Sequence, residues 1–353
     1  MTQKRLFILI ICCSLIAAVS SAFSDTASVR VGELTWLQQD SDERSASLKS
    51  MRSALSMVLS DSGETAESDT LNLYSCDQEI VYFDDINSML MALESGRIDA
   101  AELYTSVCRY ISNVGNNHLE VFGGNSFNET NPQAENRVLA LNLMDALFSV
   151  DFSFMFQENQ EALRDLFNEA LREMAADGTQ ERLIREQVAD VIYNPEKELI
   201  SAESTPIEGA ETIRVGVTGA LPPIDYFTEA GKPAGYSTQV MAEIGRRIGK
   251  NIEFVSVDSG ARAMALSAGS VDVIFWARNH VVHDTYVIPQ AWKIMLRDQP
   301  DLSNELSPED EAMIRNVRDT VRSIRISENE QLDGTIFSDP FYTDWYAYLV
   351  RKE

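Results

Sequence analysis

The chain has 353 residues, 44% hydrophobic and 24% charged, enough to bury a sizeable core and to build two domains or lobes. Its 55 acidic residues outnumber 29 basic ones, giving a formal net charge of −26. A surface this acidic repels phosphate backbones and anionic lipid, which sets nucleic acid aside as a partner.

At the N-terminus, MTQKR is a basic leader to LFILIICCSLIAAV, an apolar run too short and wrongly flanked for a membrane span. With the small residues Ser20 and Ala22 before a cleavage point, residues 1–22 read as a secretory signal, and an exported chain is expected. A lipoprotein anchored at Cys12 or Cys13 is disfavoured, because Ile11 and Cys12 stand where a small residue is needed. Both cysteines leave with the signal. Cys76 and Cys108 remain, and an oxidising compartment permits a bridge between them without requiring one.

From residue 27 to 200 strand-like and helix-like segments alternate, the pattern of a mainly parallel sheet with covering helices. VRVGELTW is strand-like, ASLKSMRSALSMVL helix-like, TLNLYSC strand-like, INSMLMALES helix-like and IDAAELY strand-like. TSVCRYI, HLEVFG and SVDFSFMFQ follow as helix, strand and strand. The clearest helix is NQEALRDLFNEALREMAADG. Its Leu163, Leu166, Phe167, Ala170, Leu171 and Met174 share one face, and Gly178 supplies a left-handed stop. TQERLIREQVADVIY makes one more helix.

Residues 201–212 belong to an aperiodic stretch rich in Pro, Glu, Ser and Thr, and read as a linker. The alternation resumes in a second unit, residues 213–353, with TIRVGVTG, STQVMAEIGRRIG, NIEFVSV, ARAMALSAG and VDVIFWA. Ser237 is the expected N-cap of the first of these helices and Gly249 its stop. Residues 279–335 interrupt the pattern as a helical insertion. Ser307 caps its helix and Pro308 opens it, with an Ile314, Val317, Val321 and Ile324 seam beside an Arg315, Arg318, Arg322 and Arg325 column. The seam is expected to pack on a lobe, the arginines to stay outside, and the insertion to be dispensable for folding. One junction occurs twice: ALESGRIDA at 92–100 and ALSAGSVDV at 265–273 each end a helix on Gly and open a strand on Asp.

These residues carry a resemblance. IRVGVTGALPPIDYFTEAGKPAGYSTQVMAEIGRRIG, the Gly269–Asp272 junction and FSDPFYTDWYAYLVRK resemble the first lobe of family 3 extracellular solute-binding proteins, the amino-acid-type receptors of ABC importers. YFDDINSMLMALESGRIDAAELYTSVCRYI and FSFMFQENQEALRDLFNEALREMAADGTQERL resemble the second lobe. The resemblance implies an α/β, type II periplasmic-binding clamshell, and it explains the doubled junction as one copy per lobe. The lobes come in reversed order, which reads as circular permutation of one clamshell. One and a half receptors in tandem is the alternative.

The resemblance also implies a solute site between the lobes, beyond the carboxyl ends of the strands. Position by position the family's site residues are largely replaced. Thr218 stands for an acid, Leu221 and Ser259 for aromatics, Tyr104 for the acid of the other lobe, and FWARNHVVHD for a Ser/Thr turn with its Arg. The residues left to form a site are Trp276 and Arg278 after one strand and Glu102 and Tyr104 on another, with Tyr226, Trp36 and Thr218. A guanidinium suits a carboxylate, and aromatic faces suit an apolar or cationic body. The plainer reading of each aromatic is packing under a lobe, and Arg278 could pair with one of the chain's own acids. His280 and His283 have metal-like spacing but no evident third ligand.

The expected function is therefore a monomeric, exported protein that captures a small polar, carboxylate-bearing solute for an ABC importer, whose permease is the macromolecular partner. It uses no cofactor and performs no catalysis. A degenerate receptor acting as a protein-interaction module is one alternative. A dehydratase-like enzyme on the same fold is another, with Glu102 and the two histidines as its loose acid–base candidates.

Overall fold

Two parallel half-sheets, one from each sequence unit, are joined by two long strands that run against each other. The computed structural model describes residues 29–34, 78–115, 118–121, 142, 146, 149–194, 196–197, 199–202, 206–281, 306–327 (backbone only for 320–327) and 333–352. One half-sheet has the order β10 (Asn251–Ser256), β6 (Thr212–Val217) and β11 (Val273–Arg278), all parallel. The other has β3 (Ala100–Tyr104), β1 (Val29–Leu34) and β2 (Gln78–Phe83), also parallel. Between them lie β5 (Ser149–Gln157) and β13 (Tyr342–Arg351), antiparallel to each other and to the inner strands β11 and β3. The whole path, β10–β6–β11–β5–β13–β3–β1–β2, reads alike from either end.

The joining strands explain their own sequences. β5 pairs with β13 over Ser149–Phe152 and with β11 over Phe152–Phe156. β13 pairs with β5 over Tyr342–Trp345 and with β3 over Tyr346–Val350. Strand β5 is buried along all but its last residue, so even its alternating Ser149, Asp151 and Ser153 lie inside the protein. Short β4 (Leu119–Val121) extends β13, and β12 (Thr335–Phe337) extends β5. A separate small sheet holds β7 (Ala220–Leu221), β8 (Asp225–Phe227) and β9 (Pro233–Ala234).

The doubled junction is one physical device made twice. Helix α1 (Ile86–Glu94) leads through Gly96 to Asp99, whose carboxylate takes the backbone N–H and the Nε and Nη2 of Arg30 on β1 at 2.8–3.0 Å. In the other half Asp272 takes the same three donors from Arg214 on β6 at 2.7–3.1 Å. Each Asp thus fastens the inner strand to its parallel neighbour just where the chain enters the sheet.

After β3 the chain turns into α2 (Thr105–Tyr110), which continues as a wider π turn to Gly115. After β5 comes α3 (Glu161–Ala176), burying Phe167, Ala170, Leu171 and Met174 and ending at Gly178 in the left-handed region, as the sequence predicts. Leu166 lies at the edge of that face and is exposed. Next, α4 (Thr179–Ile184) runs through a π turn into α5 (Asp190–Tyr193). Helix α6 (Tyr236–Ile248) is bound to α3 by Arg247, which reaches Glu173 and Asp177 while pairing with Glu243 on its own helix.

Ser237 is not the N-cap of α6. The helix starts two residues earlier behind Gly235, whose φ of 87° brings the backbone against Pro223 so closely that a Cβ would collide with its carbonyl oxygen. That approach lets the carbonyls of Pro223 and Ile224 accept the N–H groups of Tyr236 and Ser237, so a side-chain cap is not needed. Helix α7 (Arg262–Ser267) leads to the second junction.

Helix α8 (Pro308–Ser327) forms as predicted, with the Ser307 hydroxyl accepting the Asp310 N–H and donating to the Asp310 carboxylate. Its Ile314 and Val317 are buried in the main core, as expected of the seam. Arg315 is exposed and Arg318 half-buried, while the side chains of Val321, Arg322, Ile324 and Arg325 lie outside the described residues. Cys108 is a buried free thiol; Cys76 lies outside the described residues. Among the described residues no helix is long and apolar enough to cross a membrane.

Candidate functional site

The carboxyl ends of the inner strands β11 and β3 lie beside the crossing of the two joining strands, where Arg278 pairs with Phe152 and Tyr104 with Tyr346, and the candidate residues converge there. On β11, Trp276 is 1% exposed. Its indole N–H donates to Asp225 Oδ2 at 3.2 Å, and the same oxygen accepts the Thr218 backbone N–H at 2.8 Å and its hydroxyl at 2.9 Å. Thr218 is where β6 leaves the sheet, so Asp225 from β8 ties two neighbouring strand ends together. Burial pushes the Asp225 carboxyl up, against the lowering effect of its Thr218 and Trp276 donors.

Arg262, at the start of α7, covers the indole. Its guanidinium carbon stands 4.1 Å from the Trp276 ring centroid, and its Nη1 donates to the Trp276 carbonyl at 2.7 Å. Phe152 on β5 meets Trp276 edge-on at 6.1 Å and Tyr104 edge-on at 4.9 Å, which links the two half-sheets through one joining strand. Tyr104, at the end of β3, is fully buried and lies 5.6 Å from Tyr346 of β13. Tyr346 accepts Nη1 of Arg278 through its hydroxyl at 3.1 Å. Tyr104, Phe152, Trp276, Tyr346 and Arg278 therefore form one assembly drawn from both halves and both joining strands.

The remaining candidates divide. Glu102 is half-buried two residues before Tyr104 and accepts from the Tyr348 hydroxyl at 2.8 Å. Tyr226 stands apart, packing on the Val191, Leu199 and Ala234 cluster, 6.5 Å from Tyr110. Trp36 lies outside the described residues, as does His283. His280 places Nδ1 3.5 Å from the Asp151 carboxylate. Among the described residues no group of three or more His, Cys, Asp or Glu could hold a metal ion.

Sequence reasoning missed Asp225, Arg262, Phe152 and Tyr346, and two buried acids, Asp151 and Asp344, on the joining strands. Each joining strand uses its acid alike. Asp151 on β5 accepts the Val281 N–H, just past the end of β11, and the Thr343 hydroxyl of β13. Asp344 on β13 accepts the Ser106 N–H, just past the end of β3. The signal was present: a lone carboxylate inside an apolar strand, in SVDFSFMF and in YTDWYAY, is costly unless donors meet it.

One stretch of the chain matches a known family. Residues 213–280 match the family model described as bacterial extracellular solute-binding proteins, family 3. No curated protein matches the chain. Among solved structures, the ligand-binding component of an ABC-type import system from Staphylococcus aureus with zinc bound is 10% identical. It matches over 92% of this chain and 66% of its own, with a TM-score of 0.35. NikA from Staphylococcus aureus in complex with Ni(L-His)2 is 13% identical over 78% of this chain and 58% of its own, with a TM-score of 0.32. An ancestral arginine-binding protein bound to glutamine is 11% identical over 93% of this chain and 86% of its own, with a TM-score of 0.33. The chain thus spans less than two thirds of the length of the first two. The match at residues 213–280 is thus to part of a family 3 solute-binding protein, and the mixed α/β sheet of two half-sheets joined by crossing strands is consistent with a two-lobed, type II periplasmic-binding clamshell.

Proposed function

We propose that this protein is an exported receptor that captures a small carboxylate-bearing solute between its lobes and presents it to an ABC importer. It binds and does not convert. The observation that carries the reading is the meeting of Trp276 and Arg278 from one half with Tyr104 from the other across β5 and β13. A guanidinium beside aromatic walls favours an anion with a flat or apolar body. Thr218 and Tyr104 replace the acids expected for an α-ammonium, which argues against strict α-amino recognition. Glu102 and the unplaced Trp36 complete the proposed contact set, while Tyr226 would serve only at its margin.

The lobe order is read as circular permutation of a single clamshell, with a unit near residues 27–200 preceding a unit near 213–353. A half receptor appended to a whole one would leave strands of the later unit pairing among themselves, whereas β11 and β13 both pair with β5 of the earlier unit. The decisive experiment is native mass spectrometry of the purified protein for co-purifying small molecules, followed by calorimetry with a carboxylate panel. Absence of any bound or titratable solute would favour the protein-interaction alternative.

A further inference from the structure

The handover point of β13 is unusually polar for so buried a place. Trp345 is its last residue paired with β5 and Tyr346 its first paired with β3, so the strand passes from one half-sheet to the other there. Asp344, adjacent to this point and 0% exposed, accepts the Ser106 N–H of α2 through Oδ2 at 3.1 Å and the Trp345 N–H through Oδ1 at 2.8 Å. Ser106 also shares a hydrogen bond between its Oγ and the Tyr342 hydroxyl at 2.5 Å, and Thr105 donates to the Trp345 carbonyl at 3.1 Å. On the other side, Gln180 of α4 donates to the Phe341 carbonyl at 2.7 Å. Asp344, in the part of β13 paired with β5, is thus bonded to the start of α2, which follows β3 of the other half-sheet, so this bond spans the crossing.

We propose that Asp344 is an acid-sensitive latch on this hinge: ionised, it ties β13 to the start of α2, and protonated, it releases one of its two N–H donors and loosens the angle between the lobes. The chemistry is local. A carboxylate accepts at both oxygens, whereas a carboxylic acid turns one into a donor that an N–H cannot use. Hinge motion in two-lobed proteins needs only a few residues at such a crossing.

The charged and titratable groups around Asp344 leave it poised for this. From α2 come Arg109, which donates to the Tyr193 hydroxyl at 3.1 Å, and the buried Cys108 thiol. From β13 itself comes Tyr342, from α6 Tyr236, from β3 Glu102, and from β5 Asp151 at the neighbouring strand pair. Burial pushes the Asp344 carboxyl up to about 6, against the lowering effect of its Ser106 and Trp345 bonds and of Arg109. Tyr342 is raised well above its usual range by burial and by Asp344, so it stays neutral throughout. The proposal rests on the fold and not on the identity of any solute.

The test is a distance measurement between the lobes in the full chain. Met91 on α1 and Met264 on α7 are 67% and 72% exposed at equivalent places in the two halves, so Met91→Cys and Met264→Cys in a Cys12→Ser, Cys13→Ser, Cys76→Ser background accept spin labels while the buried Cys108 stays unreactive. The expected result is a broader or shifted distance distribution at pH 5 than at pH 7.5, with a midpoint near the Asp344 titration, and no change in Asp344→Asn. Should Asp344→Asn fail to fold, Ser106→Pro removes the accepted N–H within the first helical turn and should abolish the response, whereas Ser106→Ala should keep it. Identical distributions at both pH values, or an unchanged response in Asp344→Asn or Ser106→Pro, would overturn the latch.

Discussion

Trp276 gives its indole N–H to Asp225 and one ring face to Arg262, so a residue placed by sequence in a solute cleft is held on two sides by its own chain. Orientation of that ring is consequently a property of Asp225. Removing the carboxylate in Asp225→Ala would leave the Thr218 and Trp276 donors buried without their acceptor, at roughly 1–3 kcal/mol for each group so stranded. Urea unfolding should show this loss, and Asp225→Asn should cost less, because an amide oxygen still accepts. Equal stability of Asp225→Ala and wild type would mean that water or a rearranged loop satisfies those donors.

Arg278 is the residue on which solute capture depends in the proposed reading. Arg278→Ala is expected to weaken binding of a carboxylate-bearing ligand by roughly 1.5–3 kcal/mol, the worth of a hydrogen bond to a charged group. Calorimetry against the same ligand panel measures it. Unchanged affinity would assign Arg278 to the Tyr346 contact alone.

The two Arg–Asp clasps should be unequal in their parts. Partial burial pushes Asp99 and Asp272 up, but the arginine and backbone N–H bonds outweigh it and hold both carboxyls below the usual range. The arginines are 38% and 39% exposed, so Arg30→Ala and Arg214→Ala should each cost little, as partly solvated pairs do. Asp99→Ala and Asp272→Ala should cost more, since each also strands a strand N–H. Because the clasps lie in separate half-sheets, the double Asp variant should be additive in chemical denaturation.

Asp344 also makes a prediction about stability, opposite in sign to that of a salt-bridged acid. Its carboxyl is raised from 3.8 to about 6 in the folded protein, so between those values the folded state holds more protons than the unfolded one. Its contribution is full below about pH 3.8 and is lost as pH rises through 6, by about 3 kcal/mol at most. Asp344→Asn should lack this slope. Comparing the pH dependence of unfolding free energy of the two proteins from pH 4 to 7.5 checks it, and parallel curves would place the titration elsewhere.

Ile314 and Val317 make α8 part of the core, so Ile314→Ala should lower stability by 2–5 kcal/mol, the usual range for a large-to-small core change. A loss below 1 kcal/mol in thermal or urea unfolding would restore the view of α8 as a surface addition.

What the sequence by itself determined is local. Periodicity and stop signals placed α3 and its Gly178 turn, the capped start of α8, and the inner strands that follow each Gly–Asp junction, because such features depend on neighbours within a turn or two. The doubled junction even announced two like halves. Tertiary structure decided the rest. That Arg30 meets Asp99 and Arg214 meets Asp272 depends on parallel pairing of strands far apart in the chain. That Ser237 yields the start of α6 to Gly235 depends on how closely Pro223 approaches. The candidate assembly needed β5 and β13 to exchange partners between half-sheets, bringing Phe152 and Tyr346 between residues named from sequence and leaving Tyr226 outside. Asp151, Asp225 and Asp344 looked like ordinary members of a very acidic chain. Only their burial, and the donors that the folded backbone brings to them, distinguishes these carboxylates from the many that face water.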